Sequence, residues 1–188
     1  MPEKGYVKLN VDGGHKGVVK GPGTMVYGGL FRDISATWLC GFNGRIDAPG
    51  TPELAELRAL YEGLKIAKKK GFAKVKAEMD SQDMVEFITN GPKEEFIHHQ
   101  EVEDCRRFIK KEMENLEVKY VYRTANEVAN YMARLAYTYP EGTQGTHEFN
   151  DPPPDKIKVK IKRRNQLADA RELLENDREN MNTEWPNK

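Results

Sequence analysis

The feature that most constrains this chain is a change of hydrophobic period partway along it. Over residues 6–12 the apolar side chains alternate, with Val7, Leu9 and Val11 on one face and Lys8, Asn10 and Asp12 on the other. That period of two is the signature of a β-strand. A glycine-rich loop is expected next, carrying Gly13, Gly14, Gly17, Gly21 and Gly23. Two more strand-like runs follow at residues 24–32 and 37–43, separated by the turn-like Asp33-Ile34-Ser35-Ala36. At residue 51 the period lengthens. Thr51-Pro52-Glu53 combines a capping side chain, a first-turn proline and an early acid, and Leu54, Leu57, Tyr61 and Leu64 then recur at helical spacing until Gly71. Residues 74–80 alternate again, with Val75, Ala77 and Met79 on one face. Helices are expected at residues 81–90, 100–116 and 126–139, with a short strand at 117–122. The order is β-β-β-α-β-α-α-β-α. A strand–helix–strand unit requires a right-handed crossover between parallel strands. The expected sheet is therefore mixed, an antiparallel meander continued by parallel strands.

Composition narrows the classes of protein this can be. The chain has 188 residues, the size of one domain with an appendage. No apolar stretch of about 18 residues is present to span a membrane. The start Met1-Pro2-Glu3-Lys4-Gly5 has no apolar core behind it, so no secretory leader is expected. Two cysteines, Cys40 and Cys105, make neither a disulfide framework nor a four-ligand zinc site, and both fall on expected core positions. A reducing compartment, cytoplasmic or nuclear, is the corresponding expectation. Basic and acidic residues balance at 30 each, which argues against a histone-like polyanion binder but leaves room for a local basic patch. Pro152-Pro153-Pro154 marks a boundary, giving an expected domain at residues 1–150 and a charged extension at 151–188.

Three acids occupy unusual places. Asp12 and Asp80 end the first and fourth expected strands, each on the parity opposite to its strand's apolar row. On parallel neighbours both would emerge at one edge of the sheet, where open α/β sheets bind ligands. Glu56 lies in the first turns of the helix joining them. Converging carboxylates repel unless a cation sits between them, and Mg²⁺ or Mn²⁺ prefer such oxygen ligands. Taken singly, each acid also has a structural reading: a turn residue before glycine, a helix cap, a solvated side chain.

The same residues carry a resemblance. Val11-Asp12-Gly13-Gly14, Tyr27-Gly28-Gly29-Leu30-Phe31-Arg32-Asp33, the run Glu53 to Leu60 with Gly63-Leu64, Glu78-Met79-Asp80-Ser81, and Tyr122-Arg123-Thr124-Ala125-Asn126-Glu127-Val128-Ala129-Asn130 follow one another in this order. The set resembles the ribonuclease H family, in particular its plant reverse-transcriptase-like branch. Gly145-Thr146-His147-Glu148-Phe149 resembles that branch's C-terminal ending. The resemblance implies a ribonuclease H-like fold, an α/β architecture with a five-stranded mixed sheet flanked by helices. It also implies a two-metal endonuclease that cuts the RNA strand of an RNA–DNA hybrid with Mg²⁺ or Mn²⁺. Asp12, Glu56 and Asp80 would be ligands, with a fourth acid at position 130. Gly13, Gly14, Ser81, Arg123 and Asn126 would lie on the substrate side.

The sequence departs from that pattern at position 130, where the family's Asn-x-x-Ala-Asp reads Asn126-Glu127-Val128-Ala129-Asn130. Two dications about 4 Å apart repel by roughly 17 kcal/mol at an effective dielectric of about 20. One missing carboxylate therefore weakens ion binding, although the Asn130 carbonyl oxygen remains a ligand. The alternative is a catalytically silent module that retains binding to nucleic acid or a protein partner. The mobile-loop histidine of bacterial and retroviral relatives is also absent. Arg123 stands in that loop, either to meet a phosphate or simply to end a strand.

Other features carry less. Gly13 and Gly14 permit close approach of a sugar–phosphate edge, or form a plain hairpin turn. Arg106, Arg107, Lys110 and Lys111 are interleaved with acids and read as a solvated face before a phosphate-facing ridge. The six basic residues in 156–164 suit a nucleic-acid strap, an import signal or a lysine-guarded edge strand. His98, His99 and His147 lack partners at metal-ligand spacing and are expected at the surface.

Overall fold

The computed structural model describes residues 5–17 and 23–153. Three strands, β1 (Tyr6–Gly17), β2 (Gly23–Arg32) and β3 (Trp38–Ile46), precede helix α1 (Pro52–Lys69). Strand β4 (Lys74–Met79), helices α2 (Gln82–Asn90) and α3 (His99–Glu112) and strand β5 (Asn115–Tyr120) follow. A 3₁₀ turn (Arg123–Ala125), helix α4 (Glu127–Leu135), a second 3₁₀ turn (Ala136–Thr138) and strand β6 (Thr146–Phe149) complete the described chain.

The strands form one sheet in the order β5-β4-β1-β2-β3-β6. The first three are antiparallel neighbours, and β1–β4 and β4–β5 are parallel. Mixed topology with flanking helices is thus present, but with six strands instead of five. The addition is β6, which pairs antiparallel with β3 from Gly44↔Thr146 to Gly41↔Phe149. Four residues without apolar alternation carry no strand signal of their own. Fastenings elsewhere hold them: Tyr27 Oη lies 2.9 Å from Thr146 Oγ1, Trp38 Nε1 donates to the Asn150 carbonyl at 2.9 Å, and Lys69 pairs with Glu148 at 2.8 Å.

A second correction concerns the glycine stretch. Gly13, Gly14 and Gly17 are not a loop; they continue β1 and pair with Tyr27, Val26 and Gly23 of β2. Asp12 therefore sits inside a strand, not at its end.

The core lies mainly between the sheet and α1–α3. Leu9, Val11, Phe31, Phe42, Leu60, Leu64, Val75 and Met79 are buried there in one cluster, with Cys105 of α3 and Cys40 of β3. Helix α1 forms where the sequence puts its signals. Thr51 Oγ1 accepts from the Leu54 N–H at 3.2 Å, Pro52 opens the first turn, and Gly71 at φ +71° lets the chain leave. Among the described residues, helix α4 and the 3₁₀ turn after it cover the opposite face, with Val128, Ala129 and Met132 packed against Leu30 and Ala136 against Val26. The helix can do so because Gly28 has no side chain: a Cβ there would lie 2.5 Å from the Ala133 nitrogen.

His98 is a further correction. It is buried, with Nε2 2.8 Å from Thr51 Oγ1, so it braces the cap of α1 and does not lie at the surface. His147 is exposed and packs against Tyr139 in a tilted arrangement, with ring centroids 4.8 Å apart. Residues from Pro154 onward, including the basic run at 156–164, lie outside the described residues.

The α4 contact gives a stability prediction. In Gly28→Ala the new methyl meets backbone atoms of Met132 and Ala133, which cannot rotate away. Overpacking of this kind costs about 1–3 kcal/mol. A fall in melting temperature of roughly 2–4 °C per kcal/mol is expected by differential scanning calorimetry.

Candidate metal centre

Strand register brings the first two acids together. Parallel pairing of β1 and β4 runs from Tyr6↔Lys74 to Asn10↔Glu78. Two residues further along, Asp12 and Asp80 project from the same face, since side chains alternate. Helix α1 supplies the third acid. Its first turns rest directly on β1 at Gly13, where a Cβ would sit 2.2 Å from the Ala55 carbonyl carbon and 2.3 Å from the Glu56 nitrogen. Gly13 thus admits a helix backbone, and that contact sets Glu56 beside Asp12. Gly14 faces Tyr137 and Val26.

Asp12, Glu56 and Asp80 each offer a carboxylate oxygen within 4.8 Å of the others. Asp12 is 3% exposed. Burial is the main cause that raises its pKa above the ordinary carboxylate value, with the Asp80 charge adding to it; bonds from Glu56 and Asn130 and the Arg123 charge oppose the rise. Glu56 is pushed well above its ordinary value, first by burial and then by the Asp12 and Asp80 charges, with the Gly13 backbone N–H working against it. Its Oε2 is buried with no hydrogen-bond partner. An orphaned buried carboxylate oxygen is expensive in isolation. A divalent cation between the three acids would satisfy it and reverse the sign of the local field, so the donor set fits Mg²⁺ or Mn²⁺.

Asn130, on α4, reaches the same centre. Its Nδ2 donates to Asp12 Oδ2. Asn126, just before α4, is 1% exposed, and its Nδ2 donates to the Val11 carbonyl at 2.7 Å and to Asp80 Oδ1 at 2.9 Å. It therefore faces the protein and ties β1, β4 and α4 together under the acids. Ser81 caps α2, its Oγ accepting from the Met84 N–H at 3.4 Å. Arg123 is exposed in the turn before α4 and acts on Asp12 through its charge.

Beside Asn130 lies an open groove of about 680 Å³, lined by Arg123, Tyr131, Arg134 and neighbouring residues of α4. Arg134 carried no motif in the sequence; only the helix brings it to the same groove as Arg123. Outside this groove, Lys16 Nζ lies over the Tyr137 ring, 4.1 Å from its centroid. The basic residues of α3 are directed elsewhere. Arg106 donates to the Phe87 and Ile88 carbonyls at the end of α2, and Arg107 pairs with Asp104.

Comparison with known proteins follows the same outline. The family model described as reverse transcriptase-like matches residues 10–136. An Arabidopsis thaliana protein that carries a ribonuclease H name is 33% identical over 149 residues, covering 79% of this chain. The match spans 23% of that relative's length. The N-terminal RNase H domain of a Mycobacterium tuberculosis protein, solved as a maltose-binding-protein fusion, is 26% identical with a TM-score of 0.61, covering 70% of this chain and 92% of the solved one. LC11-RNase H1, solved in complex with an RNA/DNA hybrid, matches in fold at 20% identity and a TM-score of 0.60, covering 69% and 95%. The chain belongs to the reverse transcriptase-like family, within the ribonuclease H-like proteins.

Proposed function

We propose that this chain is a divalent-metal-dependent endonuclease of ribonuclease H type that hydrolyses the RNA strand of RNA–DNA hybrids. The observation that carries the reading is the convergence of Asp12, Glu56 and Asp80 within 4.8 Å around the unpartnered Glu56 Oε2. The hybrid bound by LC11-RNase H1 supports the choice of substrate. Asp12, Glu56 and Asp80 would hold Mg²⁺ or Mn²⁺, with the Asn130 carbonyl oxygen as a fourth ligand after its amide turns away from Asp12. When bound, such ions supply Lewis-acid polarisation of the phosphodiester and lower the pKa of an attacking water. The chain's own contribution is positioning. Arg123 and Arg134 attract the phosphate backbone into the groove beside Asn130. The glycine at 13 keeps Glu56 close enough to share a ligand with Asp12.

One observation favours a second reading, a binding module without catalysis: Asn130 donates to Asp12 where an acid would add charge. Incubation with a labelled RNA–DNA hybrid in Mg²⁺ and in Mn²⁺ separates the two. The parent is expected to cut the RNA strand. Asp80→Asn is expected to lose at least about 100-fold, the upper end of what changes one shell further out cost. Hybrid binding without cleavage under either ion would leave only the second reading.

Asn130→Asp supplies the missing charge. It is expected to raise Mg²⁺-dependent cleavage by about tenfold, near 1.4 kcal/mol of barrier. It also removes a donor from Asp12 and adds a repelling carboxylate, so the melting temperature in EDTA should fall. An unchanged rate in folded protein counts against Asn130 as a ligand.

The raised pKa values set the pH behaviour. Asp12 and Glu56 hold protons more tightly folded than unfolded, where values near 3.8 and 4.5 apply. Without ions, the contribution of these two acids to stability is therefore greatest below those unfolded values and is lost as pH rises through the higher folded ones. Ions need the ionised form, so the increase in melting temperature on adding Mn²⁺ should grow with pH over the same window. Thermal melts in EDTA and in Mn²⁺ from pH 4 to 8 check both slopes. A Mn²⁺ effect that does not change with pH would count against these two acids as ligands.

A further inference from the structure

Beneath the acids lies a buried row of polar side chains that the nuclease reading does not use. Asn10 is 0% exposed and Asn126 1% exposed. Arg32 of β2, 7% exposed, donates through Nη2 to Asn10 Oδ1. Asn10 Nδ2 donates to Asn126 Oδ1 at 3.2 Å and to Glu78 Oε2 at 2.9 Å. Asn126 Nδ2 then donates to the Val11 carbonyl and to Asp80 Oδ1. Glu78 is also held by Lys8 at 3.4 Å and approached by Arg32 Nη2 at 3.8 Å.

The direction of every bond in this row is forced from its ends. A guanidinium only donates, so the Asn10 oxygen must face Arg32. The Asn10 amide nitrogen must then face Glu78 and Asn126. That fixes the Asn126 oxygen toward Asn10 and its nitrogen toward Val11 and Asp80. Were the Asn10 amide reversed, its oxygen would face the Glu78 carboxylate and the Asn126 oxygen; were the Asn126 amide reversed, its oxygen would face the Asp80 carboxylate and the Val11 carbonyl, and either leaves acceptors against acceptors.

We propose that Arg32, Asn10 and Asn126 form a directional amide relay that orients Asp80 as a metal ligand, making all three positioning residues for the centre. The inference rests on the metal-dependent reading above. It extends that reading to Arg32 and Asn10, neither of which touches an ion or substrate. The relay also explains a buried arginine on β2, with no reacting group of its own, in the same polar row as the acids.

The test is Mn²⁺ binding to the full chain by isothermal titration calorimetry, with thermal melts in EDTA alongside. Asn10→Asp combined with Glu78→Gln keeps the shape and net charge of the row. The aspartate still accepts from Arg32, and the glutamine amide introduced at 78 can donate to it, but nothing donates to the Asn126 oxygen. Mn²⁺ affinity is expected to fall about 10–100-fold, as when a partner of a metal ligand is lost. Arg32→Met, which removes the donor-only end, should lower affinity as well, while Arg32→Lys should retain it. A role confined to folding would lower the melting temperature in EDTA and leave the Mn²⁺ affinity of the folded protein unchanged. If the double variant does not fold, the contrast between Arg32→Met and Arg32→Lys decides. Parental affinity in Arg32→Met, or in the folded double variant, overturns the relay while leaving the metal centre standing. A parent that binds no Mn²⁺ overturns both.

Discussion

Three carboxylates within 4.8 Å of one another repel, and much of the surrounding structure serves to keep them there. At an effective dielectric of about 20, each ionised pair at that range is unfavourable by roughly 3 kcal/mol. The protein meets this in two ways. Protons stay bound longer than usual on Asp12 and Glu56. Donors are aimed at Asp12 and Asp80: the Asn130 amide at the first and the Asn126 amide at the second. No donor reaches Glu56 Oε2, which stays buried and unpartnered. That residual cost is what a divalent cation would remove.

The sheet makes this convergence possible because backbone can approach backbone at its glycines. Gly13 receives the first turns of α1 and Gly28 receives α4. Both helices carry a polar side chain to the acids, Glu56 from one and Asn130 from the other. The centre therefore receives side chains from two helices on opposite faces of the sheet. A methyl group at either glycine would push one of them outward, and with it the side chain it delivers.

Much of this was legible in the chain. Parity along two short strands put Asp12 and Asp80 on a common face, and the cap and spacing of α1 placed Glu56 near its start. These signals are local, so sequence carries them. The failures are equally physical. Strand β6 has no pattern of its own and forms because Tyr27, Trp38 and Lys69 hold it against β3. Gly13, Gly14 and Gly17 looked like a loop because glycine lacks a side chain to show alternation, yet the facing strand β2 pairs with them throughout. His98 looked like a surface residue until α3 folded against the cap of α1.

Sequence alone determined the order of elements as far as α4, the mixed sheet and the identity of the three acids, because each depends on contacts within a few residues or on a strict period. Tertiary structure alone decided which polar residues serve those acids. Asn10 belongs by period to a face that reads as solvated, but it is wholly buried between Arg32, Glu78 and Asn126. Those partners stand 22, 68 and 116 residues away along the chain. A hydrogen bond is directional and short, and which groups come within its reach is set only once the sheet register and the α4 contact exist.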